Sequence, residues 1–434
     1  MIKYCSAADA VKNIQSGHCV FVHGSAATPK TLLNALVKRS PELKNVELVS
    51  ISTLGELEIT NAKYADSFYF NSLFVSANVR ESVNSGRGSY IPIFLSEISQ
   101  LFDRGIIRLD VALLSVSPPD KHGFCSLGPS VDVVQSAVSN CKIVIAQINP
   151  NIPRTHGNSF IHISKFNYMV ESFDFLPEVS YSSKLSEEDL IIGKNVAQLV
   201  EDGSTLQMGI GSIPDAALKA MSGFKDLGIH TEMFSDGAME LIKKGVVTNR
   251  LKKKYPGRTV STFAVGSKEL YDFIDDNPGF AFLEASYVND THVIRANKNV
   301  IAINSALEVD ITGQVVADSV GYYQFSGVGG QMDFIRGAAL SENGKPIIAL
   351  GSTTKKGESK IVTHIKEGAG VVTTRAHMHY LITEYGTADL YGKNMEQRAY
   401  AILKIAHPQH HDELEAGIIK RFGSRLHPVN KKSE

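Results

Sequence analysis

IIGKNVAQLVEDGSTLQMGIGSIPDAALKAM, Ile191–Met221, reads as a helix, a turn at Gly203, a strand to Met208, a glycine loop, Pro214 and a second helix. The same order occurs once before. In AADAVKNIQSGHCVFVHGSAATPKTLLNAL, Ala7–Leu36, a helix and a turn at Gly17 lead to a strand ending near His23, a loop closing on Pro29 and another helix. Gly17 to Pro29 matches Gly203 to Pro214 with one gap. The likeness continues when NVELVSISTLGEL, Asn45–Leu57, is laid on LGIHTEMFSDGAMEL, Leu227–Leu241, with Gly55 against Gly237. Ser50 then faces Glu232.

A chain that repeats this unit, with apolar runs such as VALLSV at Val111–Val116, IVIAQI at Ile143–Ile148, VIAIN at Val300–Asn304 and IIAL at Ile347–Leu350 between helical stretches, predicts an α/β protein. We expect two similar α/β domains with mostly parallel sheets. The most linker-like stretch is LPEVSYSSKLSEEDL, Leu176–Leu190, in which Ser186 reads as the N-cap of a helix opening on Glu187, Glu188 and Asp189. The expected domains are therefore 1–182 and 183–434.

Composition sets limits on function. The chain has 434 residues, 43% of them hydrophobic and 21% charged, enough for two cores of ordinary size without staples. Its net charge of −1 excludes a globally basic nucleic-acid binder, so any anion is bound locally. Four cysteines, Cys5, Cys19, Cys125 and Cys141, form no C-x-x-C pair, which fits a reducing compartment. The first residues lack an apolar core of signal-peptide length, and no run approaches the roughly 18 to 20 apolar residues of a spanning helix. The expected location is the cytoplasm, with no membrane partner.

GIHTEMFSDG, Gly228–Gly237, places a lone carboxylate, Glu232, at the mouth of a short apolar strand. Two glycine-rich turns bracket it: QMGIGSIPDA at Gln207–Ala216 and SGVGGQMDF at Ser326–Phe334. Such turns present bare backbone N–H groups to anionic ligands or developing oxyanions. A nucleophile with two anion cradles suggests acyl transfer. Each feature also has a plainer reading: a tight βα turn, a structural bend, or an acid capping nearby backbone. Glu284 and Glu308 are rival carboxylates, and Glu308 precedes what reads as a polar turn at Asp310–Gly313.

Other chemistries find less support. GIGSIP begins like a dinucleotide fingerprint, but Pro214 stands where the third glycine belongs. Neither HGSAATPKT at His23 nor GSTTKKGESK at Gly351 makes a P-loop, so ATP chemistry is not indicated. HMH at His377 and HPQHH at His407 lack zincin spacing, and no metal is expected. G-x-S-x-G is missing too, which argues against a serine hydrolase of the α/β type.

With these segments assembled, the chain resembles the acetyl-CoA hydrolase/transferase family of CoA-transferases, and within it the 4-hydroxybutyrate and butyrate CoA-transferases. The markers are SPPDKHGFCSLG at Ser117, LQMGIGSIPDA at Leu206, GIHTEMFSDG at Gly228, ALEVDITGQV at Ala306, SGVGGQMDFIRGA at Ser326 and TEYGTADLYGKNMEQRAYAILKIAHP at Thr383. The resemblance implies a fold of the CoA-transferase type with its site between the domains. It implies that Glu232 attacks an acyl-CoA and passes through an anhydride to a glutamyl-CoA thioester. Gly329 and Gly330 become the oxyanion donors, and CoA lies against Gly209, Ile210, Gly211, Ser212 and Ile213, with further contacts at Asn304 and Gly327. Coenzyme A enters as substrate rather than as a resident cofactor, short-chain carboxylates are the other partners, and a homodimer or homotetramer is expected. The segments at His23 and Phe74–Pro92 would face the acyl end; Arg80 and Arg87 there can be carboxylate partners or solvated surface. Two alternatives stay open: a hydrolase using the same intermediate, and a non-catalytic acyl-CoA-binding protein.

Overall fold

A computed structural model of the chain describes residues 3–180 and 185–423. The domain boundary read at 182/183 lies outside these residues. Eight strands in the first half form one sheet in the order Lys3–Tyr4, Tyr168–Glu171, Ile143–Ile148, Val111–Val116, Cys19–Val22, Val46–Ser50, Phe68–Ser72, Gly88–Tyr90, and every pairing is parallel. In the second half six strands form a sheet ordered Gly228–Ile229, Thr205–Met208, Val300–Ser305, Lys345–Ala349, Tyr380–Thr383, Gly386–Asp389. Only its last pairing is antiparallel. Apolar runs make these strands because helices cover both faces; all six residues of Val111–Val116 are buried.

The repeat in the sequence is a repeat in the fold. Counting the five shared strands of each half from its glycine-turn strand onward, both sheets run second, first, third, fourth, fifth. Such an order reverses direction between the first and third strands, and the crevice beyond their carboxyl ends is where doubly wound sheets bind ligands. In the second half that crevice lies between Met208 and Asn304, at the start of the Gly209 loop. The elements around it are as the spacing predicts: helix Glu187–Ala197, capped by Ser186 with a reciprocal bond from Asp189, then Gly203 at φ +80°, then helix Ser212–Ala220 with Pro214 in its first turn.

The halves share one apolar cluster, in which Phe21, Leu114 and Ile148 of the first join Leu206, Phe234 and Ile301 of the second. Burying side chains of this size stabilises by about 1.5 to 3 kcal/mol each, so the halves are held together by core as well as by loops.

At the first half's own reversal point the chain supplies an anion to itself. Asp174 accepts the backbone N–H of Thr31, the second residue of helix Lys30–Val37, at 3.0 Å and the Thr31 hydroxyl at 2.7 Å. A cavity of about 130 Å³ adjoins it, lined by residues that include Thr28, Lys30, Gln147, Asn149 and Phe175. At the equivalent helix of the second half, Asp189 accepts the Ser212 hydroxyl, at 3.1 Å.

Candidate active site

Glu232 does not close a single strand. The main-sheet strand ends at Ile229, His230 bridges to Val260, and a new two-residue strand, Met233–Phe234, pairs with Phe263–Ala264. Glu232 sits at the break between them. Its backbone is nonetheless fixed, because its carbonyl oxygen accepts from Thr262 N–H, Phe263 N–H and Ser261 Oγ, each at 2.9 Å. Thr262 in turn accepts from Val131 N–H of the first half at 3.0 Å. The preceding residue, Thr231, exchanges two hydrogen bonds of 3.2 Å with the backbone of Met208, which ties the segment carrying Glu232 to the glycine loop at Gly209.

The side chain faces the other glycine turn. A Cβ placed on Gly330 would lie 1.7 Å from Glu232 Oε2, so only glycine lets the turn approach this carboxylate. Gly330 caps the N-terminus of helix Gln331–Leu340, whose dipole favours negative charge there. Asn289 Nδ2 donates to Glu232 Oε2 at 3.1 Å and to Asp333 Oδ2 at 3.2 Å. Asp333 also accepts from the Ser96 N–H at 3.2 Å and its hydroxyl at 2.8 Å, from across the junction of the halves.

Burial disfavours the charged form of Glu232, pushing its pKa up to about 7 against the opposing pull of the Asn289 hydrogen bond, although the residue keeps an opening to solvent. Asp333 is pushed up to about 7 as well, chiefly by burial and further by the charge of Glu232. Were Glu232 to attack an acyl-CoA it would do so as the carboxylate, and covalent loading would then fall about tenfold for each pH unit below roughly 7 and level off above it, as single-turnover rates across pH 5.5 to 8.5 would report.

The residues singled out by sequence fall into two adjoining groups. In the first, Gly209 N–H donates to Ile303 O at 2.8 Å, and a Cβ on Gly209 would approach that oxygen to 3.3 Å and Asn304 Oδ1 to 3.5 Å. Asn304 is buried and pairs with Gln207 through two amide bonds of 3.0 and 3.3 Å. Ile210 is exposed, Gly211 holds φ +130°, and Ile213 packs on the core. In the second group, Gly327 and Gly329 press on Phe74, and Gly329 O accepts from Leu95 N–H at 2.9 Å. Val328 N–H is taken by Tyr90 Oη at 2.8 Å, which leaves the next two N–H groups, Gly329 and Gly330, as candidate oxyanion donors. Met208 and Thr231 join the two groups.

Sequence reasoning missed Asn289, Asp333, Ser96 and Tyr90. Asp333 stands inside SGVGGQMDF, so a carboxylate three residues past Gly330 was a usable signal; Asn289 carried none. The rival acids lie elsewhere. Glu308 is buried and accepts the Lys366 N–H at 2.8 Å, and Glu284 is the N-cap residue of the short helix Ala285–Val288. Arg87 is taken up by Glu81 and Thr60 O, while Arg80 donates to Phe325 O at 2.7 Å with its guanidinium 3.9 Å from the Phe325 ring centroid. His230 is buried with Nε2 2.8 Å from Val288 O, and burial pushes its pKa down to about 3, so it stays neutral two residues before Glu232. Among the described residues no group of three or more His, Cys, Asp or Glu side chains is placed to hold a metal ion, and no helix is long and apolar enough to cross a membrane.

Comparisons with known proteins give the family. Residues 2–179 match the acetyl-CoA hydrolase/transferase N-terminal domain, and residues 266–418 match the C-terminal domain of the same name. A succinyl-CoA:acetate/propanoyl-CoA:succinate CoA transferase of Fasciola hepatica is 49% identical over 94% of this chain and 86% of its own. A 4-hydroxybutyrate coenzyme A transferase of Clostridium kluyveri is 46% identical over 97% of this chain and 98% of its own. The solved 4-hydroxybutyrate CoA-transferase of Porphyromonas gingivalis superimposes with a TM-score of 0.83 at 36% identity, covering 97% of this chain and 98% of that one. The chain is thus an enzyme of the CoA-transferase type, and it belongs to the acetyl-CoA hydrolase/transferase family.

Proposed function

We propose that the protein exchanges CoA between an acyl-CoA and a short-chain carboxylate by ping-pong kinetics, with Glu232 as the nucleophile. Acetyl-CoA is one partner, and 4-hydroxybutyrate or butyrate supplies the other acyl group. The observation that carries this reading is the contact of the Glu232 carboxylate with Gly330 and Asn289 at a helix N-terminus, beside the loop at Gly209.

In the proposed sequence a Glu232 oxygen adds to the acyl carbon, the C–S bond breaks, and CoA leaves as thiolate from a mixed anhydride. The thiolate then attacks the Glu232 carbonyl, releasing the first carboxylate and forming a glutamyl-CoA thioester. An incoming carboxylate reverses both steps, leaving a new acyl-CoA and free Glu232. Thioester is exchanged for thioester, so no ATP is consumed. The negative charge that builds on oxygen at each addition is met by N–H groups of Gly329 and Gly330. CoA lies along Gly209, Ile210, Gly211, Ser212 and Ile213, reaching Asn304 and Gly327, and its remote binding energy offsets the cost of the anhydride step. A homodimer or homotetramer in the cytoplasm completes the reading, and light scattering would give the assembly mass.

The test is intact mass after brief exposure to acetyl-CoA, then borohydride reduction and peptide mapping. A CoA adduct and a reduced glutamate at Glu232 are expected. No adduct in protein that binds CoA would sink the covalent mechanism in favour of a binding protein. Steady-state rates with acetate, butyrate, 4-hydroxybutyrate and succinate then identify the acceptor. CoA release that no acid diverts would mean that water resolves the intermediate.

A further inference from the structure

The first half touches the nucleophile through an indirect route. Ser96, in the first half, gives both its N–H and its hydroxyl to Asp333. Asp333 and Glu232 then share the two N–H bonds of one amide, Asn289 Nδ2. The amide is held in this orientation even though its other end, Oδ1, is buried without a hydrogen-bond partner. An unmet buried acceptor is costly, so the two carboxylates must outweigh it in fixing which way Asn289 points. Asn289 is fully enclosed and Asp333 nearly so, which leaves little room for either to relax. The neighbouring backbone reinforces the same junction, since Leu95 N–H bonds Gly329 O and Tyr90 Oη takes Val328 N–H.

We propose that Asp333 is a positioning residue: anchored by Ser96 of the first half, it holds the Asn289 amide so that the second N–H aims the Glu232 carboxylate at the acyl carbon. This rests on Glu232 being the nucleophile. The first half thereby sets the attack geometry without touching the reacting atoms. Besides the mutual repulsion of their charges, Asp333 and Glu232 are linked through a single NH₂ group.

The experiment measures the single-turnover rate of CoA-adduct formation with acetyl-CoA, alongside CoA affinity by titration, in the full-length enzyme. Asp333→Ala removes the oxygen that accepts from both Asn289 Nδ2 and Ser96 N–H, and with it the acceptor of the Ser96 hydroxyl. Its loading rate is expected to fall about 100-fold, the scale of a small misplacement of a reacting group, with CoA affinity within about threefold of the parent. Ser96→Ala, a milder change at a partly exposed position, should slow loading about tenfold, and Ser96→Thr, which keeps the hydroxyl, should restore most of that loss. Unchanged loading in either Asp333→Ala or Ser96→Ala overturns the proposal. So does a loss of loading and CoA affinity in parallel that Ser96→Thr fails to restore, because a structural defect predicts that pattern. Glu232→Gln runs beside them: an adduct there overturns the nucleophile assignment itself and the positioning role with it. Absence of an adduct in Glu232→Gln with normal loading in Asp333→Ala removes the positioning role alone.

Discussion

Glu232→Gln is expected to abolish the CoA adduct and to lower turnover by at least about four orders of magnitude, the usual scale for loss of a covalent nucleophile. The amide is nearly isosteric, and its carbonyl oxygen can still accept from Asn289 Nδ2, so the site keeps its shape while the attacking group is gone. The same variant should be more stable than the parent at pH 8. The fold holds the Glu232 carboxyl at a pKa near 7, above the ordinary 4.5, so the folded state binds the proton more tightly. Stability from this group is present below about pH 4.5 and is lost as pH rises through about 7. At about 1.4 kcal/mol per tenfold in proton affinity, the ionised carboxylate costs up to about 3 kcal/mol, which glutamine removes. Urea unfolding at pH 5 and pH 8 would show most of the gain at the higher pH. Turnover within about tenfold of the parent would rule out Glu232 as nucleophile.

Gly330→Ala should be the second most damaging change, at about 100- to 1,000-fold in kcat/KM, as for the loss of an oxyanion donor or a misaimed nucleophile. Gly330 has φ −99°, which alanine adopts freely, so the backbone need not move. The new methyl carbon would fall 1.7 Å from Glu232 Oε2 and 2.2 Å from Asn289 Nδ2, and the carboxylate must swing away. CoA affinity should stay close to that of the parent, because the damage is confined to the reacting end. Gly329→Ala makes a useful contrast. There the backbone holds φ +56° and the added carbon meets Phe74 at 3.1 Å, so strain spreads into the turn instead of landing on the nucleophile. Full activity in Gly330→Ala would mean that Glu232 does not rest against this turn during turnover.

Much of this was legible in the chain because it is written locally. The helix, glycine turn, strand and proline-led helix are set by neighbours a few residues apart, and their recurrence announced two similar α/β halves with mostly parallel sheets. Gly209 and Gly330 could be flagged because bare backbone is a property of the residue itself. Glu232 could be flagged because it stands between the two turns in sequence. Asn289 could not be, since its meaning depends on two carboxylates that are 57 residues before it and 44 after it. Ser96 lies 237 residues from Asp333, and nothing near it in sequence distinguishes it from any other surface serine. The break in the strand at His230 also escaped notice, because a continuous apolar pattern does not record where pairing changes partner.

Asp174 on the N–H of Thr31 gives the duplicated fold an asymmetry of use. Both halves own a helix whose positive end opens on a reversal point, yet in the first the chain's own carboxylate already neutralises that field. A guest anion arriving there would have to compete with a tethered one, whose effective concentration is on the order of millimolar. In the second copy Asp189 takes the Ser212 hydroxyl of the equivalent helix, so each copy keeps a tethered carboxylate at its helix start, on a backbone N–H in one and on a side-chain hydroxyl in the other.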